Sequence, residues 1–241
     1  MATETRTGKC IYCRKAIEQT RIGNYSLWLP KAHEGCAEAK KRKEEEGRAE
    51  DERRAVESRR NRANTPEGQL ALGIPWKYHG AAFTDFTNLG EVLESFYRGE
   101  IALVTLSGPT GTGKTRALYA VFRAAKADGR PCRFCGVLLL AKELQALAGE
   151  STRSEMQLLK EISDEAGIVL FDELGAEKET TYIVSALNIL IGEREKWDRP
   201  TMVATNLTVK EIAEKVDRRI ADRLAGGVVL EFRGKSKRLG K

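Results

Sequence analysis

The chain has 241 residues, of which 41% are hydrophobic, 32% charged and only 7% aromatic, enough for one large domain or one domain with an appendage and a modest core. Its formal net charge of +6 is compatible with nucleic acid but too small to demand it. The polar opening residues exclude a secretory leader, and no stretch approaches the roughly 18 consecutive apolar residues of a membrane span, so a cytoplasmic setting without membrane contact is expected, where the five cysteines are thiols or metal ligands rather than disulfides.

The chain begins with a small cysteine-bearing segment, residues 1–38. Cys10-x2-Cys13 is followed at a distance by His33-x2-Cys36. Two knuckles, each with a pair of ligands three positions apart, suit a tetrahedral zinc ion, and a segment this short gains its folding free energy from such an ion. Four protein ligands leave no open position, so the zinc would be structural. Tyr25, Leu27, Trp28 and Leu29 lie between the knuckles and would cover the site. Four unrelated reduced side chains would spell the same letters, and the ligands alone leave open whether the module meets protein or DNA. Residues 37–62 are nearly all charged or alanine, with blocks of alternating sign, no apolar stripe, and Glu44 and Arg48 at helix-supporting spacing, which marks 39–65 as a charged linker. They are expected to form a solvated helical or disordered connector rather than a DNA-binding arm, broken by Asn64-Thr65-Pro66. The remainder, residues 66–241, is expected to be the main domain.

Leu72, Ile74, Trp76, Phe83 and Phe86 supply apolar anchors, either beside a bound ligand's flat apolar part or, as favoured here, in the core; residues 90–98 suit a short helix. The apolar run 101–106 predicts a buried strand, and residues 116–126 a helix. Between them stands Gly108-Pro109-Thr110-Gly111-Thr112-Gly113-Lys114-Thr115, the G-x-x-x-x-G-K-T pattern of a phosphate-binding loop in the strand–loop–helix context that its physics requires. The glycines let backbone N–H groups curl around an anion, and the new helix adds its positive dipole end. Lys114 would reach the β- and γ-phosphates and the Thr115 hydroxyl would hold Mg²⁺.

A strand is predicted over 131–138 and helices over 141–148 and 155–165. Cys132 and Cys135 repeat the C-x2-C spacing, but positions three apart on a strand point to opposite faces, so they are expected to be core thiols. The run 168–173 is four apolar residues ending in Asp172 and Glu173. Such a strand delivers Asp172 where it supports Mg²⁺ through the ion's water shell, and Glu173 where it orients and deprotonates an attacking water. Strand 201–206 ends in Asn206, placed to sense a γ-phosphate or to cap the next helix, a task open to Thr208 as well. In 217–224, Arg219 and Arg223 share a helical face. From spacing alone they complete a neighbouring subunit's site or pair with Asp217 and Asp222.

Taken in order, GPTGTGKT, IVLFDELGAEK, MVATNL and RRIADRL resemble the AAA+ ATPases of the DnaC/DnaI helicase-loader and IstB transposition-helper group, and LGIPWKYHGAAFTDF resembles the entry to that group's ATPase core. The resemblance covers about residues 70–232. It implies an α/β fold, an AAA+ P-loop core with a five-stranded parallel sheet and helices on both faces, with ATP and Mg²⁺ bound, ATP-driven homo-oligomerisation and contact with single-stranded DNA. It assigns Arg223 the arginine-finger role, with Arg219 as second candidate. An insertion near 145–160 would touch single-stranded DNA through Arg153 and Lys160, unless these belong to a solvated helix face. The chain ends at Lys241, short of a full helical lid, and the basic residues Arg233, Lys235, Lys237, Arg238 and Lys241 either touch phosphates or form a frayed terminus. A zinc module suits a loader that docks on a replicative DNA helicase. The alternatives are an IstB-like transposition helper and a zinc-dependent DNA-binding module with a nucleotide switch.

Overall fold

A computed structural model of the chain describes residues 5–20, 35–87, 89–147, 154–165, 167–176 and 181–234, in two units, Met1–Glu57 and Ser58–Lys241. In the first unit, β1 (Thr5–Lys9) and β2 (Ala16–Thr20) form an antiparallel hairpin with Gly8 opposite Ile17. Its turn is closed by Cys10 N donating to Lys15 O at 2.8 Å and Arg14 N to Cys10 O at 3.1 Å, with Arg14 left-handed at φ 63. The charged connector is a helix, α1 (Ala37–Asn64), whose one buried residue is Ala63, as expected of a sequence without an apolar stripe. The break after Asn64 also fits expectation: Thr65 caps α2 (Pro66–Ala71) by accepting Gly68 N, and Pro66 takes the first helical position, where its missing N–H costs nothing. Tyr25, Leu27, Trp28, Leu29 and His33 lie outside the described residues.

Two short 3-10 turns, Trp76–Tyr78 and Phe83–Asp85, and α3 (Gly90–Arg98) lead into the main sheet. Its elements are β3 (Leu103–Ser107), α4 (Lys114–Ala127), β4 (Cys132–Gly136), α5 (Val137–Leu147), α6 (Glu155–Asp164), β5 (Ile168–Leu174), α7 (Thr181–Lys196), β6 (Thr201–Thr205), α8 (Val209–Lys215), α9 (Arg218–Gly226) and β7 (Val228–Glu231). The five strands lie in the order β4-β5-β6-β3-β7, all parallel, so their carboxyl ends share one rim.

Strand parity explains the packing. Val104, Leu106, Ile168, Leu170, Met202 and Ala204 point to one face, against Leu118 and Val121 of α4. Their alternates Leu103, Val169, Phe171 and Val203 point to the other, against Leu187 and Leu190 of α7 and Leu224 of α9. Cys132 belongs to the first layer and Cys135 to the second; both are buried thiols on opposite faces, as their spacing predicts. The strand expected over 131–138 is shorter: it stops at Gly136, and Val137 and Leu138 open α5, because the aliphatic run continues as the first turn of a helix. Of the expected anchors, Ile74 and Phe86 are in the core and Leu72 and Phe83 pack against it. Trp76 is not; it is 66% exposed and lies against the His79 ring, centroids 4.6 Å apart. Neither α7 nor β7 is marked in the sequence by a single-sided stripe.

The last turns of α1 are tied to α4. Arg60 Nε donates to Asp128 Oδ1 at 2.9 Å, and Arg123 Nη1 donates to Asn64 Oδ1 at 2.6 Å. Arg194 of α7 is wholly buried without a carboxylate in hydrogen-bond contact. Its guanidinium donates to Thr201 Oγ1 and to the carbonyls of Ile162, Ser163, Glu165, Gly167 and Pro200, fastening the amino-terminal edges of β5 and β6 to the helical layer.

Candidate functional site

The carboxyl rim of the sheet carries a cavity of about 440 Å³. It begins where β3 gives way to α4. Gly108 adopts φ 143, and a Cβ there would sit 2.2 Å from the Phe232 carbonyl, so only glycine lets β7 exit beside the loop. Thr112 Oγ1 donates to Pro109 O at 2.8 Å and holds the loop's bend. Lys114 is the first residue of α4 and 7% exposed; its ammonium donates to Gly108 O at 2.5 Å and Pro109 O at 2.8 Å, which sets the cation inside the loop's curl. Thr110, Gly111, Gly113, Lys114 and Thr115 face the cavity, whereas Gly108, Pro109 and Thr112 shape it from behind.

The acids arrive from β5. Asp172 is 8% exposed and Thr115 Oγ1 donates to its Oδ1 at 3.4 Å. Burial pushes the Asp172 carboxyl above the ordinary range, the Thr115 hydroxyl pulls it back, and the Glu173 charge beside it pushes the same way as burial. A buried carboxylate hydrogen-bonded to a hydroxyl at the cavity wall is a donor set that fits a hard cation such as Mg²⁺. Glu173 follows with φ 66, in the left-handed region, at an irregularity where the β5–β6 register shifts between Phe171 and Leu174. That distortion turns the Glu173 side chain out into the cavity instead of leaving it on a sheet face. Asn206, exposed just after β6, lines the same space. It is not the cap of α8: Thr208 accepts Glu211 N at 3.2 Å, and Glu211 accepts Thr208 N at 2.9 Å, a reciprocal capping pair. Ala204 and Thr205 of β6, Arg116 of α4, paired with Asp85 at 2.8 Å, and Lys77 and Tyr78, from the turn ahead of the sheet, complete the wall. Sequence reasoning missed these residues; for Lys77 and Tyr78 the available signal was a cation beside an aromatic ring within the core-entry segment.

Arg223 is elsewhere. It lies on α9 against α7, where Nη1 donates to Asn188 Oδ1 at 3.0 Å and Nε is 3.4 Å from Glu195 Oε2. Gly192 lies under it: a Cβ there would be 2.9 Å from the guanidinium carbon, so a larger residue would shift the arginine's tip. Arg219 is 75% exposed and pairs with Asp217 at 3.6 Å. The two arginines border a separate surface hollow with Ile189 and Glu193, so neither reaches the cavity of its own chain. Lys160 is exposed on α6 and does not line the cavity; Arg153 and the basic residues 235–241 lie outside the described residues.

In the first unit the ligand atoms of Cys10, Cys13 and Cys36 all lie within 4.8 Å of one another. Cys10 Sγ and Cys36 Sγ are 3.8 Å apart, a separation that zinc–sulfur bonds of about 2.3 Å in a tetrahedron would accommodate. Cys10 and Cys36 are buried. The fourth candidate, His33, falls outside the described residues. No helix among the described residues is long and apolar enough to cross a membrane.

A family model described as the ATPase family associated with various cellular activities (AAA) matches residues 104–227, from β3 to the residue before β7. The replicative helicase loader DnaC of Escherichia coli K12 is 28% identical over 131 residues, covering 54% of this chain and 53% of the relative; the chain thus matches about half the length of that protein. Among solved structures, the crystal structure of the DnaC helicase loader superposes with a TM-score of 0.56 at 17% identity, over 66% of this chain and 100% of that one. The replication initiator DnaA bound to AMPPCP and single-stranded DNA gives a TM-score of 0.58 at 16% identity, over 67% of this chain and 51% of that one. At such identities the structural likeness speaks for the fold.

Proposed function

The chain belongs to the AAA family of ATPases, and from that premise we propose that it is an ATP-dependent DNA-replication protein, a DnaC-like loader that places a replicative helicase on single-stranded DNA. The observation that carries the nucleotide half of this proposal is the convergence of Lys114, Thr115, Asp172, Glu173 and Asn206 on one cavity from three strand ends. Its loader half is supported by the sequence likeness to a replicative helicase loader.

The loop amides and Lys114 bind the phosphates of ATP. Thr115 and Asp172 hold Mg²⁺, which neutralises charge on the β- and γ-phosphates when bound. Glu173 accepts the proton of the attacking water, and Asn206 orients the γ-phosphate. Arg223 supplied by a neighbouring copy stabilises the charge that develops at the γ-phosphate, so hydrolysis to ADP and phosphate requires a homo-oligomer. In residues 1–38, Cys10, Cys13 and Cys36 hold a structural zinc with His33 as fourth ligand, and this module grips the helicase. Residues 39–65 serve as linker and 66–241 as the ATPase domain. Lys160 and Arg153 supply contacts to single-stranded DNA.

The test is co-purification of the full chain with the replicative helicase of its host. ATP-dependent retention of the helicase, followed by transfer of helicase onto single-stranded DNA, is expected. Retention of no helicase in either nucleotide state overturns the loader assignment.

A further inference from the structure

Lys77 and Tyr78 stand on the turn Trp76–Tyr78 and line the same cavity as Thr115, Asp172 and Glu173. The segment is fastened at both ends. Gln69, 3% exposed, accepts Ile74 N at 2.9 Å with its carbonyl and Gly80 N at 2.8 Å with its side-chain oxygen. His79 Nε2 lies 2.9 Å from Ile74 O, and Ile74 and Ala81 are fully buried. A loop tied this way presents its tip in one place.

The tip rests on a column of rings. Phe134 of β4 stacks on Tyr119 of α4, centroids 4.6 Å apart and planes at 14°. Tyr119 stacks on Tyr78 at 4.6 Å and 21°. Lys77 Nζ closes the column, 4.7 Å from the Tyr78 centroid, an ammonium on a ring face. Tyr119 lies one helical turn past Thr115 on the same side of α4. Burial chiefly, with Tyr78 and Asp172 nearby, pushes the Tyr119 hydroxyl up to about 12. The column thus stands on the Asp172 flank of α4. On another side of the loop is Phe86, whose ring would lie 3.7 Å from a Cβ at Gly113.

We propose that Lys77 is a second cation of the phosphate site, contacting the terminal phosphate of a bound nucleoside triphosphate, and that the Tyr78–Tyr119–Phe134 column sets its position. This rests on the cavity being a nucleotide site. A magnesium triphosphate is still anionic, and here it sits beside two carboxylates, Asp172 and Glu173, with the loop's Lys114 and with Arg116, whose charge is engaged by Asp85 at 2.8 Å. A further ammonium offsets that excess, and one placed at the Asp172 side distinguishes a triphosphate from a diphosphate. Lys77 is exposed, so replacing it leaves the core untouched.

The experiment is titration of the full chain with ATP and with ADP, each with Mg²⁺, by calorimetry, for the parent, Lys77→Ala, Lys77→Arg and Tyr78→Phe, with thermal melts as the check on folding. Lys77→Ala is expected to weaken ATP about tenfold and ADP less, the size of one charge-assisted hydrogen bond. Lys77→Arg retains most of the affinity, and Tyr78→Phe keeps all of it because the ring face is what the column uses. Parent-like ATP affinity in Lys77→Ala, or equal losses for ATP and ADP, overturns the assignment while the nucleotide site stands. Absence of ATP binding by the parent chain overturns both.

Discussion

Thr115 Oγ1 donates to Asp172 Oδ1 at 3.4 Å, which joins the first turn of α4 to the carboxyl end of β5 across the sheet rim. The pair is the proposed seat for Mg²⁺, and it can be split without breaking the fold: burial already disfavours the Asp172 charge, so an amide is tolerated there. Asp172→Asn is expected to keep its melting temperature and to lose roughly 10- to 100-fold in Mg²⁺-dependent nucleotide affinity. Nucleotide titrations with and without Mg²⁺ check it; an unchanged magnesium dependence removes Asp172 from the metal site.

Glu173 is the exposed acid of the cavity and carries the proposed proton transfer. Glu173→Gln should bind ATP as the parent does and turn it over roughly 10² to 10⁴ times more slowly. Phosphate release measured in single turnover gives the comparison, and full turnover in the variant excludes Glu173 as the base.

Arg223 lies outside its own chain's cavity, so its proposed effect must appear in trans. Arg223→Ala is expected to bind ATP normally and lose on the order of 10³-fold in turnover. Because the parent arginine bonds Asn188 and Glu195 only at the surface, stability should change by less than about 1 kcal/mol. Mixing Arg223→Ala with Glu173→Gln chains should regenerate some activity, since one interface in the mixture joins an intact Glu173 to an intact Arg223. No recovery on mixing, with oligomers formed, argues against a shared site.

The cluster of Cys10, Cys13 and Cys36 predicts roughly one zinc per chain, removable by chelation. Cys10→Ser is expected to purify with little zinc and to lose hydrogen-exchange protection in the 5–20 hairpin while residues 103–231 keep theirs. Zinc content equal to that of the parent chain, measured by elemental analysis, rules Cys10 out as a ligand.

Tyr97 OH donates to Asp128 Oδ2 at 2.6 Å, and both groups are displaced by it. The Tyr97 hydroxyl bond first, opposed by burial and helped by Arg60, holds the Asp128 carboxyl below its ordinary 3.8. Burial first, then Asp128, pushes Tyr97 from 10.0 up to about 12. A depressed carboxylate contributes stability above pH 3.8 that is lost as pH falls through its folded value; a raised phenol contributes stability below pH 10.0 that is lost as pH rises toward about 12. Tyr97→Phe should therefore cost about 1 kcal/mol at neutral pH, given the partial exposure of Asp128, and flatten both limbs of a denaturation midpoint plotted against pH. A curve that keeps both slopes in the variant assigns them to other groups.

The parts of this molecule that were legible in the sequence are those whose chemistry is local. Gly108 to Thr115 and Asp172-Glu173 announce themselves because strand, loop and acid are contiguous in the chain. The separation of Cys132 from Cys135 followed from strand parity alone. Helix α7 was hidden because Ile183, Leu187 and Leu190 face the core while Tyr182 and Ile189 are exposed, so no stripe stands out. β7 is only four residues long and takes its place from pairing with β3. The six hydrogen-bond acceptors of Arg194 come from separate segments, and Lys77 reaches the cavity only because Gln69 and His79 fold its loop back. Such long-range closures leave no periodic trace.

The left-handed backbone at Glu173 has a further consequence. A side chain in that conformation costs about 1 kcal/mol that glycine would not incur. A glutamate codon becomes a glycine codon by one base change, so mutation continually offers this lineage a hardier but chemically silent version of itself. A library screened only for heat resistance should enrich Glu173→Gly, and a library screened for ATP turnover should purge it; the abundance of that one variant would report which demand, endurance or chemistry, the protein is held to.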